Sequence, residues 1–321
     1  MKKIALIACI LVIVIGFIWL LVFNNVSNET EDNGKLNVVV TSFSSYDFVR
    51  HIVGDNANVT FLLGPGMDAH SYDPSASDII KIGNADMFVY IGDEMEKWAE
   101  RVVETLDTKN TVLVKISDSI EIIEEKNIDG TEHEEHDDNH HEHEEVEYDE
   151  HVWSSPENAI KIMDVLTNHL IEVDPDRKEE YEKNSEEYIL EIRDVQSQIQ
   201  DIVDNKERSR LVFADKMPMQ YFINEFKLDV SAAFNSCSTE TEPSTSTIAY
   251  LINKVKEENI PVVLYIELGT DKVANTIAKE TGAIPMQIQT LHNVTKTDFD
   301  NGETYVSLMR RNLDVLKKAL Q

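Results

Sequence analysis

Cysteine and positive charge are both scarce in this sequence of 321 residues. The two cysteines are Cys9 and Cys237, and Cys9 lies in an apolar N-terminal segment, so a disulfide scaffold and a cysteine-based zinc finger are both excluded. Lys and Arg number 29 against 60 Asp and Glu, which leaves a formal net charge of −31. So acidic a surface repels phosphate backbones and anionic lipid, and we therefore expect no nucleic-acid partner.

Several catalytic sequence motifs are also missing. The chain contains no HExxH, no GxSxG, no glycine-rich phosphate loop and no paired metal-carboxylate motif. A zinc hydrolase would need an open metal position and a base, for which Asp215 or Glu240 is the remaining candidate. The sequence therefore predicts a protein that is not an enzyme, with a zinc-dependent enzyme as the alternative.

The N-terminus carries a long apolar run. Lys2 and Lys3 precede residues 4–23, which contain no charge and are long enough as a helix to span a bilayer. No small-x-small cleavage site follows, and the lipoprotein-like letters LIAC end at Cys9, where too few apolar residues precede the cysteine. We predict an uncleaved membrane anchor, with a cleaved signal or lipidation at Cys9 as alternatives. Each alternative places the rest of the chain outside the cytoplasm, anchored to the outer face of the membrane or secreted.

Strand-like and helix-like runs alternate along both halves of the chain, which predicts βαβ units and parallel sheets. The predicted strands cover residues 36–41, 59–63, 87–91 and 112–116, and then 211–214, 230–233, 262–266 and 284–288. The expected fold class is α/β, with two lobes that each contain a mainly parallel sheet flanked by helices. Open sheets of this kind place ligands at the carboxyl ends of their strands, so we expect the site in a cleft between the lobes.

One apolar stripe marks a long helix between the halves. Its residues are Tyr181, Tyr188, Ile192, Val195, Ile199 and Ile202. Their spacing predicts a helix of about 30 residues, about 45 Å long, that joins the lobes. The predicted boundaries are 1–23 for the anchor, 24–35 for a polar tether, 36–175 for the first lobe, 176–206 for the linking helix and 207–321 for the second lobe.

Residues 131–150 (TEHEEHDDNHHEHEEVEYDE) form a segment rich in histidine and acid. It holds five His, eight Glu and three Asp without Lys or Arg, so it cannot bury a core. Neutral imidazole and carboxylate groups both bind divalent metals. We therefore predict a mobile loop that collects metal weakly, with a solvated acidic linker as the alternative. Its histidines are His133, His136, His140, His141 and His143.

Three further histidines occur where predicted strands end or beside the acidic segment. His70 lies in GPGMDAHSYDPS, His151 in DEHVWSSP and His292 in TLHNV. A single histidine beside a strand is usually structural, but three facing one expected cleft, next to a metal-collecting segment, indicate a metal site. His51 and His169 lie within predicted helices and are expected to be ordinary helix residues.

The motifs MDAHSYDPSASD and DEHVWSSPENA together resemble those of the metal-binding solute receptors of bacterial ABC importers for zinc and manganese. The resemblance covers roughly residues 35–320 and includes ETEPS, IAKETG and HNVT; SCSTETEPS and LHNVT are similar to a clostridial-type subgroup. It implies two α/β lobes joined by a long helix, with His70 and His151 as ligands from the first lobe. An acidic His-rich loop before the second histidine is typical of zinc members.

The resemblance also implies partners and a location. A receptor of this family delivers its metal ion to the permease of an ABC importer in the membrane, and we expect this chain to act as a monomer. Some such receptors have been described as adhesins, so a surface adhesin or interaction protein is the alternative function.

The second lobe departs from the pattern of the family. Many members have a third His or a Glu after the strand that corresponds to residues 211–213, where this chain has Asp215. The usual fourth ligand is an acid after the last strand; here that position falls at about Gln289, and His292 lies three residues further on. We predict His292 as the third ligand and Asp215 as the fourth, with Glu267 and Cys237 as alternatives.

The predicted ligand types favour Zn²⁺ over Mn²⁺. Three imidazoles and a carboxylate suit tetrahedral zinc, whereas manganese, the alternative metal, prefers more oxygen ligands. Because each coordinating imidazole must be unprotonated, we expect metal affinity to fall as the pH drops through about 6.5, the ordinary pKa of histidine.

Overall fold

The computed structural model describes residues 34–106, 111–130, 147–236 and 242–321. The predicted anchor, most of the tether, the five histidines of residues 131–146, Cys237 and Glu240 lie outside the described residues. Within the described ranges, no helix combines the length and the apolar character that crossing a bilayer requires.

The first lobe is built on a parallel sheet with the strand order β2-β1-β3-β4. Its strands are β1 (Leu36–Val40), β2 (Ala57–Phe61), β3 (Met87–Tyr90) and β4 (Val112–Lys115). The helices of this half are α1 (Phe43–Val53), α2 (Ala76–Gly83), α3 (Lys97–Thr105) and α4 (Pro156–Val173). All four residues of β3 are buried, as expected for an inner strand of a parallel sheet.

The second lobe repeats this design with the strand order β10-β9-β7-β8. Its strands are β7 (Arg210–Lys216), β8 (Asp229–Phe234), β9 (Val262–Ile266) and β10 (Ile284–Ile288). Its helices are α6 (Gln220–Glu225), α7 (Thr245–Glu257), α8 (Lys272–Thr281), α9 (Lys296–Asp300) and α10 (Tyr305–Leu320). All pairings in both sheets are parallel, which is the predicted fold class.

Helix α5 (Lys178–Asp204) contacts both lobes. Toward the first lobe, the side-chain amide of Asn184 donates a hydrogen bond of 3.0 Å to the carbonyl of Ile52 in α1. Toward the second lobe, Arg310 of α10 forms an ion pair of 3.3 Å with Asp194. The predicted apolar stripe is buried along α5 except at its end, where Val203 replaces Ile202 as the buried residue, because the helix period carries position 203 onto the inner face.

A short antiparallel pair, which the sequence did not predict, lies next to the acidic segment. Its strands are β5 (Ile123–Glu124) and β6 (Tyr148–Asp149), and they are held against the second lobe by Tyr221 of α6. The Tyr221 hydroxyl donates a hydrogen bond of 2.5 Å to the carbonyl of Asp149 and accepts one of 3.2 Å from the Ile123 N–H. Two-residue strands carry no periodicity signal, so only their tertiary partners define them.

The apolar core continues from one lobe into the other. One cluster joins the first sheet and α5 to part of the second sheet, and a smaller cluster packs the second sheet against α7 and α8. The predicted strand at 59–63 is shifted, since β2 ends at Phe61 although Leu62 and Leu63 are buried. The strand was predicted from its apolar residues, which mark where side chains are buried and not where the strand pairs, so the predicted range extends beyond the end of β2.

Candidate metal centre

Three loops bring the predicted histidines to one place. After β2, Gly64 and Gly66 have φ angles of 74° and 80°, in the left-handed region that suits glycine, and this turn leads to His70. His151 lies two residues after β6, and His292 lies four residues after β10. Each loop starts from a strand end, so the positions of the three histidines depend on the sheets behind them.

The side chains of His70, His151 and His292 form one cluster. Their three ligand atoms lie within 4.8 Å of one another. The ring centroids are 5.8 Å apart for His70 and His151, 5.7 Å for His70 and His292, and 5.3 Å for His151 and His292. A central point is then no more than about 2.8 Å from each atom, so shifts of under about 1 Å would reach the ~2.0–2.1 Å of a Zn–N bond.

His151 is the most constrained member of the cluster. It is fully buried, and its Nδ1 lies 2.8 Å from Oδ1 of Asp149, which also accepts a hydrogen bond of 2.8 Å from the His151 backbone N–H. This contact places the proton on Nδ1 and leaves Nε2 as an acceptor. In the described part of the chain, Nε2 is buried without a hydrogen-bond partner. A metal-binding histidine commonly has one ring nitrogen hydrogen-bonded to a carboxylate, which leaves the other nitrogen available to the metal. His151 has this arrangement.

Trp153 packs beneath two of the three histidines. Its ring contacts His151 and His292 edge-on, with centroid distances of 5.4 and 5.7 Å. Its Nε1–H donates a hydrogen bond of 3.2 Å to the carbonyl of Thr290, two residues before His292. This buried ring therefore sets the spacing between a histidine of the first half and one of the second.

Burial lowers the pKa of two of the three imidazoles, those of His70 and His292. Desolvation, followed by the proximity of His151, lowers the pKa of His70 to about 4, although one side of the His70 ring remains exposed. The same two causes lower the pKa of His292 well below its ordinary value of 6.5. At neutral pH both rings therefore offer a lone pair to a metal ion. The expectation of a transition near pH 6.5 used the ordinary pKa of histidine, and burial moves the expected transition of these two residues to lower pH.

The structure does not bring Asp215 into the cluster of histidines. Oδ1 of Asp215 accepts a hydrogen bond of 2.8 Å from the Lys216 N–H, and Oδ2 accepts one of 3.4 Å from the Ile266 N–H. Gly269 lies so close to this carboxyl group that any Cβ there would collide with it. The carboxyl group is thus bound to the backbone of its own lobe.

Glu267 also lies outside the cluster. Both of its carboxyl oxygens accept hydrogen bonds from Thr290 and Leu291, the two residues before His292. Desolvation raises the pKa of Glu267 to about 7, against the lowering effect of these hydrogen bonds. The last alternative ligand, Cys237, lies outside the described residues.

A cavity of about 320 Å³ opens beside the exposed side of His70. Its walls include Tyr72, Trp98, Glu94 and Glu147. Glu147 belongs to the acidic segment of residues 131–150 and is the first residue of its C-terminal end that the structure describes. The end of that segment therefore forms part of the cavity wall beside His70.

The remaining described histidines are engaged elsewhere. His51 stacks on Tyr188 with ring centroids 3.8 Å apart, and Nδ1 of His169 lies 3.1 Å from Glu172. The hydrogen bonds of Asp149 to His151 and of Glu267 to the turn before His292 were not predicted from the sequence. An acid two residues before a candidate ligand was a usable local signal for Asp149, whereas nothing near Glu267 in the sequence pointed to its contacts.

Comparisons with known proteins agree over most of the chain. The family model described as zinc-uptake complex component A, periplasmic (ZnuA), matches residues 38–319. The zinc-binding lipoprotein AdcA of Streptococcus pneumoniae (strain ATCC BAA-255 / R6) is 33% identical over 293 residues, which cover 91% of this chain and 57% of AdcA. The high-affinity zinc uptake system protein ZnuA of Bacillus subtilis (strain 168) is 35% identical over 288 residues, which cover 89% of this chain and 88% of that protein.

The fold is similar to a solved structure as well. The Zn(II)-bound ZnuA-like domain of Streptococcus pneumoniae AdcA matches with a TM-score of 0.74 and 30% identity. The match covers 89% of this chain and 99% of that domain. This chain thus spans little more than half of the full AdcA but nearly the whole of its ZnuA-like domain.

Proposed function

The chain belongs to the ZnuA family of zinc-uptake components, and we propose that it is an extracytoplasmic receptor that binds one Zn²⁺ ion and delivers it to an ABC importer. The proposal rests mainly on one observation: three imidazoles from both halves of the chain converge, with their ligand atoms within 4.8 Å of one another. This family consists of solute-binding receptors, and the chain is not an enzyme.

The proposed ligands are His70, His151 and His292. Three imidazole nitrogens suit zinc, whereas a manganese site would draw mainly on oxygen ligands. The unpaired Nε2 of His151 supports this assignment, since an ion would satisfy a buried acceptor that has no hydrogen-bond partner in the described part of the chain.

Asp215 stays the predicted fourth ligand, but its role requires a movement. Its carboxyl group must first leave the backbone N–H groups of Lys216 and Ile266. When the carboxyl group stays on these N–H groups, we propose that a water molecule occupies the fourth coordination position, as in zinc sites with three protein ligands.

The proposed ligands come from both lobes, and this suggests how zinc is released. His70 and His151 come from the first half of the chain, and His292 comes from the second sheet. A movement that separates the sheets would remove His292 from the other two ligands and weaken the site. We propose that docking on the permease of the importer causes this movement in a monomeric receptor.

The proposed location is the outer face of the cell membrane. The related AdcA is called a lipoprotein and the family is described as periplasmic, which agrees with the predicted N-terminal anchor or signal. The surface-adhesin alternative stays a prediction without specific support from the described site.

Metal analysis of the purified protein tests the proposal. Protein purified without added metal, and the same protein titrated with zinc against a competing chelator, should each hold one tight zinc ion per chain. A variant with both His70→Ala and His292→Ala is the control and should lose this tight ion. A tighter affinity for Mn²⁺ than for Zn²⁺, or the absence of a tight site, would contradict the proposal.

A further inference from the structure

The turn that carries His292 has an unusual backbone. Leu291 has a φ angle of 62°, in the left-handed region that branched side chains avoid. Its side chain is fully buried at 0% exposure, so Leu291 cannot relax into another conformation without removing apolar contacts. A strained conformation of this kind persists only where surrounding contacts hold it.

Glu267 supplies those contacts. Its Oε1 accepts hydrogen bonds of 2.9 Å from the Thr290 hydroxyl and 3.0 Å from the Leu291 N–H, and its Oε2 accepts one of 2.9 Å from the Thr290 N–H. The residue is 6% exposed and lies directly after β9, on the neighbouring strand of the sheet. One buried carboxyl group therefore makes three hydrogen bonds to two consecutive residues.

Other contacts fix the two ends of the same turn. Asn312 of α10 accepts a hydrogen bond of 2.8 Å from the Gln289 N–H and donates one of 2.7 Å to the Gln289 carbonyl. Beyond His292, the side-chain amide of Asn293 donates to the carbonyls of Gly64 and Met67, at 3.0 and 2.5 Å, in the loop that leads to His70. Glu267 is thus the central support of a turn whose ends are already attached.

We propose that Glu267 is a positioning residue for the metal: its carboxyl group holds the left-handed turn at Leu291, and this turn places the imidazole of His292 in the cluster. The inference rests on the proposed function, because it assigns His292 as a ligand. Glu267 itself does not bind the ion, since both of its oxygens already accept hydrogen bonds from the turn.

A double-mutant cycle tests this assignment. Glu267→Gln keeps the size of the side chain and one acceptor oxygen, but it turns an NH₂ group toward a backbone N–H. We expect Glu267→Gln to weaken zinc binding about tenfold, the low end for losing an orienting contact behind a ligand. In a His292→Ala background the same change should have less than about a twofold effect, because the residue through which Glu267 acts is gone. A tenfold loss in both backgrounds, or no loss in the native background, would overturn the proposal.

Two further measurements separate positioning from general stability. Asp47→Asn is the matched control, since Asp47 is a fully buried carboxyl group that accepts hydrogen bonds from Tyr188 and Tyr305, outside the cluster. It should lower the melting temperature and leave zinc affinity unchanged. If Asp47→Asn lowered zinc affinity as much as Glu267→Gln does, both losses of affinity would be attributed to reduced stability, and the proposal would be overturned.

Hydrogen exchange of the metal-free protein gives a readout that does not require zinc. The amides of Leu291 and His292 should exchange at least tenfold faster in Glu267→Gln than in the native protein, while those of β9 should be unchanged. If Glu267→Gln fails to fold, Thr290→Val removes the hydroxyl bond to Glu267 and also the 3.4 Å bond from the His292 N–H, so exchange is then measured at the Leu291 amide, which should show a smaller increase. Unchanged exchange at the turn would overturn the proposal even if the protein binds zinc. Faster exchange in a protein that binds no zinc would instead contradict the proposed function alone.

Discussion

His151 and His292 belong to the same cluster but come from different lobes, and different kinds of contact hold them. His151 is oriented by Asp149, two residues earlier in the same segment, through a contact of 2.8 Å. His292 depends on Glu267, which lies on another strand 25 positions away and acts through Thr290 and Leu291. The first support is local and the second is tertiary, so changes in folding or lobe contact should affect His292 more than His151.

His70 differs from both. It lies in an exposed loop after Gly64 and Gly66, and its backbone N–H donates a hydrogen bond of 2.9 Å to Asp68. Its ring faces the cluster on one side and the cavity on the other. An ion entering from solvent therefore meets His70 before it meets the buried His151.

The largest effect is expected from His151→Ala. This change removes a proposed ligand and leaves Asp149 as a buried carboxylate without its imidazole partner. We expect zinc affinity to fall by more than about 100-fold, beyond the range for losing an orienting residue behind a ligand. Chelator competition on the folded variant measures this loss, with His169→Ala as the control. A loss below about tenfold would remove His151 from the ligand set.

The second comparison is between the two candidate ligands of the second lobe. Zinc at about a hundred times its dissociation constant stabilises the native protein by about 2.7 kcal/mol, which should raise the melting temperature by several degrees. We expect His292→Ala to remove most of this shift and Asp215→Ala to leave most of it, because Asp215 lies outside the cluster. Differential scanning calorimetry with and without zinc measures both. The reverse order would assign the second-lobe ligand to Asp215.

The pH dependence of zinc affinity tests whether burial lowers the pKa of histidines from both lobes. Protons compete with zinc only near the pKa of each free imidazole, and the pKa of His70 is lowered to about 4 and that of His292 is also lowered. Both rings therefore take up a proton at a lower pH than an exposed imidazole does, so lowering the pH should weaken binding less steeply than it would in a site of three exposed imidazoles. Between about pH 6.5 and 5.5 we expect less than roughly one power of ten per pH unit. A slope near three, measured by isothermal titration after correction for buffer protons, would indicate three exposed imidazoles.

The smallest effect on the tight site is expected from removing residues 131–146. This deletion takes away His133, His136, His140, His141 and His143 but keeps β6, Asp149 and His151. It should remove weak additional zinc equivalents and leave one tight ion with an unchanged dissociation constant, because a polar segment rich in charge does not hold ligands rigidly. Equilibrium dialysis over a range of zinc concentrations measures both classes of site. Loss of the tight ion would contradict this expectation, because the tight site would then depend on residues 131–146.

The sequence by itself determined the features that repeat over short distances. The strands β1, β9 and β10, the long helix with its stripe from Tyr181 to Ile199, and the three histidine loops are all visible as periodicity or as local motifs. Such patterns are readable because the side chains that share a helix or sheet face recur at fixed spacings. For the same reason, strand ends were misplaced where burial continued beyond pairing, as at Leu62 and Leu63.

Only the tertiary structure decided the different contacts of the two acids Asp215 and Glu267. The sequence favoured Asp215 as a ligand and kept Glu267 as an alternative, because each was predicted to follow an apolar strand. In the fold, Asp215 accepts hydrogen bonds from the backbone of its own lobe, while Glu267 accepts them from the turn before His292. Burial also lowers the pKa of His70 and that of His292. Hydrogen bonds between distant strands and the desolvation that shifts a pKa depend on which surfaces meet, and no spacing along the chain encodes that.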